Sequence, residues 1–224
     1  MFAIGHMALG YLLGELTAKI TKTQYNICSL LTLAILPDID LIVPWITHRG
    51  PFHSIFVIIL LFLPFIVAYK KMIVPYIVAT EQHILGDYIS GGRVQLLWPL
   101  NQEWYGLGIS PSNSIAITAE WILFLGCLTL MIKTKDLQKL LKPHPSNLIL
   151  LIPIDSIFSP LFLYYPMNIP NGLIIPHLIF LALFALSVIV SQKILLEKFR
   201  NFSIFIFKQR YTERWLTKDE EENC

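Results

Sequence analysis

Long apolar stretches separated by short polar connections dominate the hydropathy pattern of the chain. A helix that crosses a bilayer needs about 17–25 mostly apolar residues, and seven stretches approach that length. Two of them contain no charged residue, two contain one carboxylate each (Glu120 and Asp155), and three contain His and Asp motifs. In chain order the predicted spans are 2–18, 26–46, 53–69, 72–90, 114–132, 147–165 and 172–192. The pattern predicts an all-α fold, a polytopic membrane helix bundle of about seven transmembrane helices.

The composition agrees with this membrane class. Hydrophobic residues make up 55% of the chain and charged residues only 14%, whereas soluble domains carry about 25% charged residues. We therefore expect a multi-pass protein of the plasma membrane whose partner is the lipid bilayer, with no nucleic acid partner. The first segment has no basic region typical of a cleaved signal peptide, so we expect insertion through uncleaved helices.

The distribution of positive charge predicts the orientation of the bundle. With seven spans and the N-terminus outside, the inner side collects all but two of the 17 Lys and Arg residues; only Arg49 and Arg93 lie outside. Such asymmetry follows the positive-inside rule and favours an N-out, C-in topology. A six-span variant with an interfacial first helix keeps the same loops. The membrane domain is predicted over residues 1–192, followed by a basic and then acidic cytoplasmic tail, 193–224.

Ionisable side chains gather at the predicted outer ends of these helices. Such groups cost several kcal/mol in apolar surroundings unless they are paired or bound to a metal. In the predicted topology all of them fall at one leaflet. They are His6, Asp38, Asp40, His48, His53, His83, Asp87 and Glu120.

Two spacings among these residues suggest metal ligands. His83 and Asp87 are four residues apart and share one helix face, which suits two ligands of one ion or a simple hydrogen-bonded pair. Asp38 and Asp40 follow Pro37, and in an extended segment their side chains point the same way. Two adjacent carboxylates repel each other unless a cation lies between them; the alternative is a pair of solvated loop aspartates.

The segment 48–53 reads His-Arg-Gly-Pro-Phe-His. Its Gly-Pro turn can return His48 and His53 to one point, although single histidines of this kind are more often structural. Arg49 and Arg93 can bind a phosphate through their guanidinium groups or simply anchor the protein at the interface.

The ordered motifs GHMALGYLLG, ILPDIDLI, HRGPFHS and HILGDYISGGRVQLLWPL resemble the YdjM family of membrane-bound metal-dependent hydrolases over about residues 1–130. That family is in turn distantly similar to zinc-dependent phospholipase C and P1 nuclease. The resemblance implies metal ligands at His6, Asp38, His48, His53, His83 and Asp87. It also implies acidic positions at Asp40 and Glu120.

The resulting hypothesis is a membrane-bound metal-dependent hydrolase that acts on a phosphoester, in a lipid or lipid-linked substrate, at the outer membrane face. One or two ions are expected; zinc suits the mixed nitrogen and oxygen ligands best, with manganese or iron as alternatives. Asp40 or Glu120 would handle the proton, and Arg49 or Arg93 would hold the phosphate. The alternatives are a metal ion or proton transporter, in which intramembrane His and Asp mark the pathway, and a non-catalytic membrane scaffold.

Overall fold

The computed structural model describes residues 1–43 and 45–192 of the chain, so the predicted tail 193–224 lies outside the described residues. Within these residues every regular element is helical, as predicted. The α-helices are α1 (Ala3–Thr21), α2 (Ile27–Leu33), α3 (Ile55–Tyr69), α4 (Val74–Ile89), α5 (Ser114–Lys133), α6 (Asp136–Leu140), α7 (Leu151–Phe158) and α8 (174–192). Short 3-10 helices connect several of them, and a π-helical turn, Ser159–Leu163, extends α7.

Four helical runs of the described residues are long and apolar enough to cross a membrane. They are Ile55–Ile89, Ser114–Lys133, Pro145–Leu163 and Asn171–Gln192. The last three coincide with the predicted spans 114–132, 147–165 and 172–192. The first covers most of both 53–69 and 72–90. The count of seven and the N-out, C-in orientation remain predictions.

The first run is a helical hairpin. Lys70, between α3 and α4, has a positive φ of 50° and breaks the regular helix. Ile58 near the start of α3 and Ile84 near the end of α4 belong to one hydrophobic cluster, so the two helices run antiparallel. The hairpin therefore brings the beginning of α3 next to the end of α4, which is the end that carries His83 and Asp87.

The predicted span 26–46 is not a single helix. It contains the seven-residue α2 and a separate 3-10 helix, Leu36–Leu41, hereafter the 36–41 segment. Pro37 stands in the first turn of this segment, where its missing N–H is not needed. The chain thus changes direction before the two aspartates instead of continuing across the bilayer.

Helix α1 lies at the centre of the bundle, packed against α4 and α5. Its side chains Ile4, Met7 and Tyr11 are fully buried in a core that also includes Phe124 and Phe180. With its polar residues, α1 is not one of the four apolar runs, although its 19 residues match the predicted span 2–18. A buried central α1 holds His6 in a fixed position.

Away from the predicted ligands, the buried carboxylate of Asp136 connects α6 to α1 through a hydrogen bond with Tyr11. Asp136 Oδ2 accepts hydrogen bonds from the hydroxyl groups of Tyr11 (2.8 Å) and Tyr25 (2.6 Å), and Oδ1 accepts one from Lys139 Nζ (2.7 Å). Burial acts to raise the pKa of Asp136, but these hydrogen bonds and one from Thr134 outweigh it and hold that pKa below its ordinary value.

Candidate metal centre

Four side chains from three separate segments meet at one point. Each of them offers a ligand atom, and these atoms all lie within 4.8 Å of one another. Asp38 comes from the 36–41 segment, His53 from the short 3-10 helix that precedes α3, and His83 and Asp87 from α4. Three of the four are fully buried, and the side chain of Asp38 is 24% exposed. This is a group of residues that can hold a metal ion.

His83 presents an unpaired acceptor to this group. Its Nδ1 lies 3.0 Å from the carbonyl oxygen of Ala34. A carbonyl only accepts, so Nδ1 carries the proton, and Nε2 of the neutral ring presents a lone pair. That Nε2 lies 3.3 Å from Asp38 Oδ1 and has no hydrogen-bond partner among the described residues. Two acceptors so close need a proton or a cation between them.

His53 is buried among carboxylates. Its Nε2 lies 3.7 Å from Asp38 Oδ1 and 3.6 Å from Asp87 Oδ2, while its Nδ1 lies 3.2 Å from Asp40 Oδ2. Neither ring nitrogen makes a hydrogen bond within the described part of the chain. A buried imidazole without partners is costly, and a cation bound at Nε2 would satisfy it.

Asp40 belongs to a second group, with His48 and His53. Its Oδ1 accepts a hydrogen bond from His48 Nδ1 at 2.8 Å, and its Oδ2 accepts one from the backbone N–H of Arg49 at 2.9 Å. This carboxylate is therefore satisfied by the protein itself. His53 has one lone pair to give once its other nitrogen is protonated, so it can serve one ion only.

In the 36–41 segment the side chains of Asp38 and Asp40 point in different directions. The prediction that they point the same way assumed an extended segment and is wrong. A 3-10 helix turns about 120° per residue, so side chains two positions apart diverge. Asp38 consequently faces His83 and Asp87, whereas Asp40 faces His48 and Arg49.

Asp87 is the most heavily contacted carboxylate. Its Oδ2 accepts a hydrogen bond from Arg49 Nε at 2.7 Å, and the backbone nitrogen of Met1 lies 3.0 Å from its Oδ1. Arg49 also donates to the carbonyl oxygen of Gly91. A Cβ at Gly91 would lie 2.4 Å from Asp87 Oδ1, so only glycine fits there.

His6 lies against the same group from α1. Its Nε2 is 3.3 Å from Asp87 Oδ1, and its ring stacks on that of His83 with centroids 3.7 Å apart. A Cβ at Gly86 would lie only 3.0 Å from His6 Cε1, so glycine lets α4 approach this imidazole. The Nδ1 atom of His6 has no hydrogen-bond partner in the described residues.

The side chains of the cluster are not balanced in charge. Asp38, Asp40 and Asp87 are three carboxylates, and among the described residues Arg49 is the one guanidinium in contact with them. With neutral imidazoles, two negative side-chain charges are left over, and the amino group of Met1, 3.0 Å from Asp87 Oδ1, can offset one of them. A divalent cation among these carboxylates would offset the remaining negative charge.

Two predicted site residues lie away from this group. Glu120 is buried and accepts a hydrogen bond from the backbone N–H of Phe2 at 2.9 Å, but its other oxygen has no partner among the described residues. Arg93 is exposed and lines neither the four-residue group nor the cavity beside it. Of the two arginines that were predicted to lie outside, the structure brings only Arg49 to the cluster.

A cavity of about 380 Å³ opens beside the cluster. Asp38, His48, Arg49 and Asp87 form its polar wall, and much of the remainder is apolar. Asp155, to which no role could be assigned from the sequence, also lines this cavity. A single carboxylate in an otherwise apolar span was the signal that marked it.

The chain matches the YdjM inner membrane protein family over residues 1–195. It belongs to this family. Membership and the four apolar helical runs identify a multi-pass plasma membrane protein. The YdjM match extends well past residues 1–130, where the motifs lie, and includes the last two predicted spans. No curated protein and no solved structure matches the chain, and the similarity to phospholipase C and P1 nuclease remains a prediction.

Proposed function

We propose that this YdjM family member is a membrane-bound metal-dependent hydrolase that cleaves a phosphoester in a lipid or lipid-linked substrate at the outer membrane face. One observation carries the proposal. The unpaired Nε2 atoms of His53 and His83 face the carboxylates of Asp38 and Asp87 within a 4.8 Å group. This donor set of two nitrogens and two oxygens suits a single zinc ion, with manganese or iron as alternatives.

A single ion agrees better with the contacts than two. The second group needs His53, which the first group already uses, and its Asp40 is satisfied by His48 and by the N–H of Arg49. Asp40 Oδ2 then lies 3.2 Å from Nδ1 of the ligand His53 and can orient its ring, as carboxylates commonly do behind metal-bound histidines.

His48 and Asp40 together form a proton-accepting pair. His48 Nδ1 donates to Asp40, so its Nε2 keeps a lone pair, and the side chain lines the cavity with 31% of its surface exposed. This is the arrangement of a general base oriented by a carboxylate. Arg49 lines the same cavity and can hold a phosphoryl oxygen. A bound divalent ion would supply Lewis acidity and a more acidic water.

The test measures metal content and turnover on purified protein in detergent. We expect about one zinc per chain in the wild type, and loss of both metal and phosphodiester hydrolysis in His83→Ala. The matched control is His144→Ala, because the His144 side chain is exposed and, within the described residues, hydrogen-bonds only with Ser146. Full metal content in His83→Ala would contradict the proposal.

His48→Ala separates proton transfer from metal binding. We expect metal to be retained and hydrolysis to fall about 100- to 10,000-fold, the usual contribution of a general base. Loss of metal in this variant would make His48 a ligand, as the resemblance implied. Metal binding in the wild type with cation uptake into proteoliposomes and no hydrolysis would instead favour the transporter.

A further inference from the structure

Two cavities adjoin the 36–41 segment. The first is the cavity of about 380 Å³ beside the metal cluster. The second, of about 470 Å³, is lined by α3 and its neighbours, and all its lining residues except Thr80 are apolar. Leu36 and Ile39 line both cavities. The 36–41 segment therefore contributes to the walls of both cavities, and its Asp38 belongs to the metal cluster.

Both cavities are lined in part by exposed apolar residues of helical runs that are long and apolar enough to cross a membrane. Leu61 and Phe65 line the second cavity from α3, and each is nearly half exposed on a helical run that can cross the membrane. Leu151 and Ile152 line the first cavity from α7, and each is more than half exposed on another such run. Hydrocarbon chains are the material that surrounds such side chains in a membrane.

We propose that the substrate is a two-chain lipid that straddles the 36–41 segment, with one hydrocarbon chain in each cavity and its phosphoester beside Asp38 and Arg49. This inference rests on the proposed function, because it names the substrate class of the same site. A lipid with one chain would use the first cavity alone. The second cavity, which is apolar except for Thr80 and contains none of the cluster residues, then has an occupant.

The role of the second cavity is positioning. A chain that moves from the bilayer into an apolar cavity gains little hydrophobic free energy, because both surroundings are apolar. What the cavity provides is a fixed location for the chain and hence for the ester that it carries. Blocking it should therefore impair two-chain lipids selectively and leave one-chain lipids unaffected.

The experiment compares two adjacent leucines of α3. Leu61→Trp fills the second cavity, whereas Leu60→Trp places the same side chain outside it; Leu60 is 67% exposed and Leu61 is 47% exposed, so both variants should fold. Binding of phosphatidylglycerol and of lysophosphatidylglycerol is measured by native mass spectrometry. We expect Leu61→Trp to weaken binding of the two-chain lipid by roughly tenfold, as misfits in apolar pockets do, and to leave the one-chain lipid unchanged.

Failure of this inference can be told apart from failure of the proposed hydrolase. Binding of both lipids is also measured in His83→Ala. If this variant still binds the two-chain lipid in preference to the one-chain lipid, the inference is supported even if the wild type hydrolyses nothing. Equal binding and equal hydrolysis of two-chain lipid by Leu61→Trp and Leu60→Trp would overturn the inference and leave the hydrolase standing. A change of oligomeric mass in Leu61→Trp alone would assign the cavity to a second copy of the chain and would also overturn it.

Discussion

Replacing Gly86 by alanine tests whether the packing of α1 on α4 positions the imidazoles of the cluster. The new Cβ would lie 3.0 Å from Cε1 and 3.1 Å from Nδ1 of His6. The His6 ring must then move by a few tenths of an ångström, but its face already stacks on His83 at a centroid distance of 3.7 Å. The displacement is therefore passed on to a ligand of the proposed ion.

The magnitude follows from a comparison with Gly126. A Cβ at Gly126, in α5, would meet a single atom, Leu12 Cδ1, at an ordinary 3.8 Å. Both substitutions gain the same helical preference of alanine over glycine, about 0.5–1 kcal/mol. The difference between the two variants thus isolates the overpacking cost at Gly86, which we expect to be about 1–3 kcal/mol.

The assay is thermal unfolding in detergent together with metal analysis. At about 2–4 °C per kcal/mol for a chain of this size, Gly86→Ala should unfold about 2–12 °C below Gly126→Ala. Its zinc content should fall as well, because His83 moves. Equal unfolding temperatures and equal zinc content in the two variants would refute the reasoning that α1 holds the cluster in place.

Three further predictions concern the metal and the far end of the bundle. Zinc at about 100 times its dissociation constant should stabilise the wild type by about 2.7 kcal/mol and should not stabilise Asp38→Ala; equal shifts in a thermal melt would place the ion elsewhere. Asp136→Asn should cost about 1–3 kcal/mol in thermal unfolding, because the carboxylate accepts from Tyr11, Tyr25 and Lys139; an unchanged melting temperature would contradict this. The pKa of Asp136 is lowered in the folded protein, so its contribution to the free energy of unfolding is present above about pH 4 and is lost as the pH falls through that pKa. The unfolding temperatures of the wild type and Asp136→Asn should therefore converge in acid. A constant difference between them would be the contrary result.

Much of the fold follows from hydropathy alone. The predicted spans 114–132 and 172–192 agree closely with helical runs of the structure, because a long and mostly apolar segment must satisfy its own backbone hydrogen bonds in a bilayer. The 26–46 segment could not be predicted in the same way. Its apolar content suggested one crossing, whereas Pro37 and the two aspartates produce a short α-helix followed by a 3-10 turn.

The membership of the cluster could be predicted better than its internal arrangement. Ionisable residues within apolar segments are easily recognised in the sequence. Asp38, His53, His83 and Asp87 were therefore all predicted to be candidate metal ligands. Which carboxylate faces which imidazole depends on backbone turns that spacing does not encode. The 3-10 geometry of the 36–41 segment turns Asp38 toward His83 and leaves Asp40 to His48. The helix type thus keeps Asp38 as a candidate ligand, as the resemblance implied, and places Asp40 beside His48 and His53.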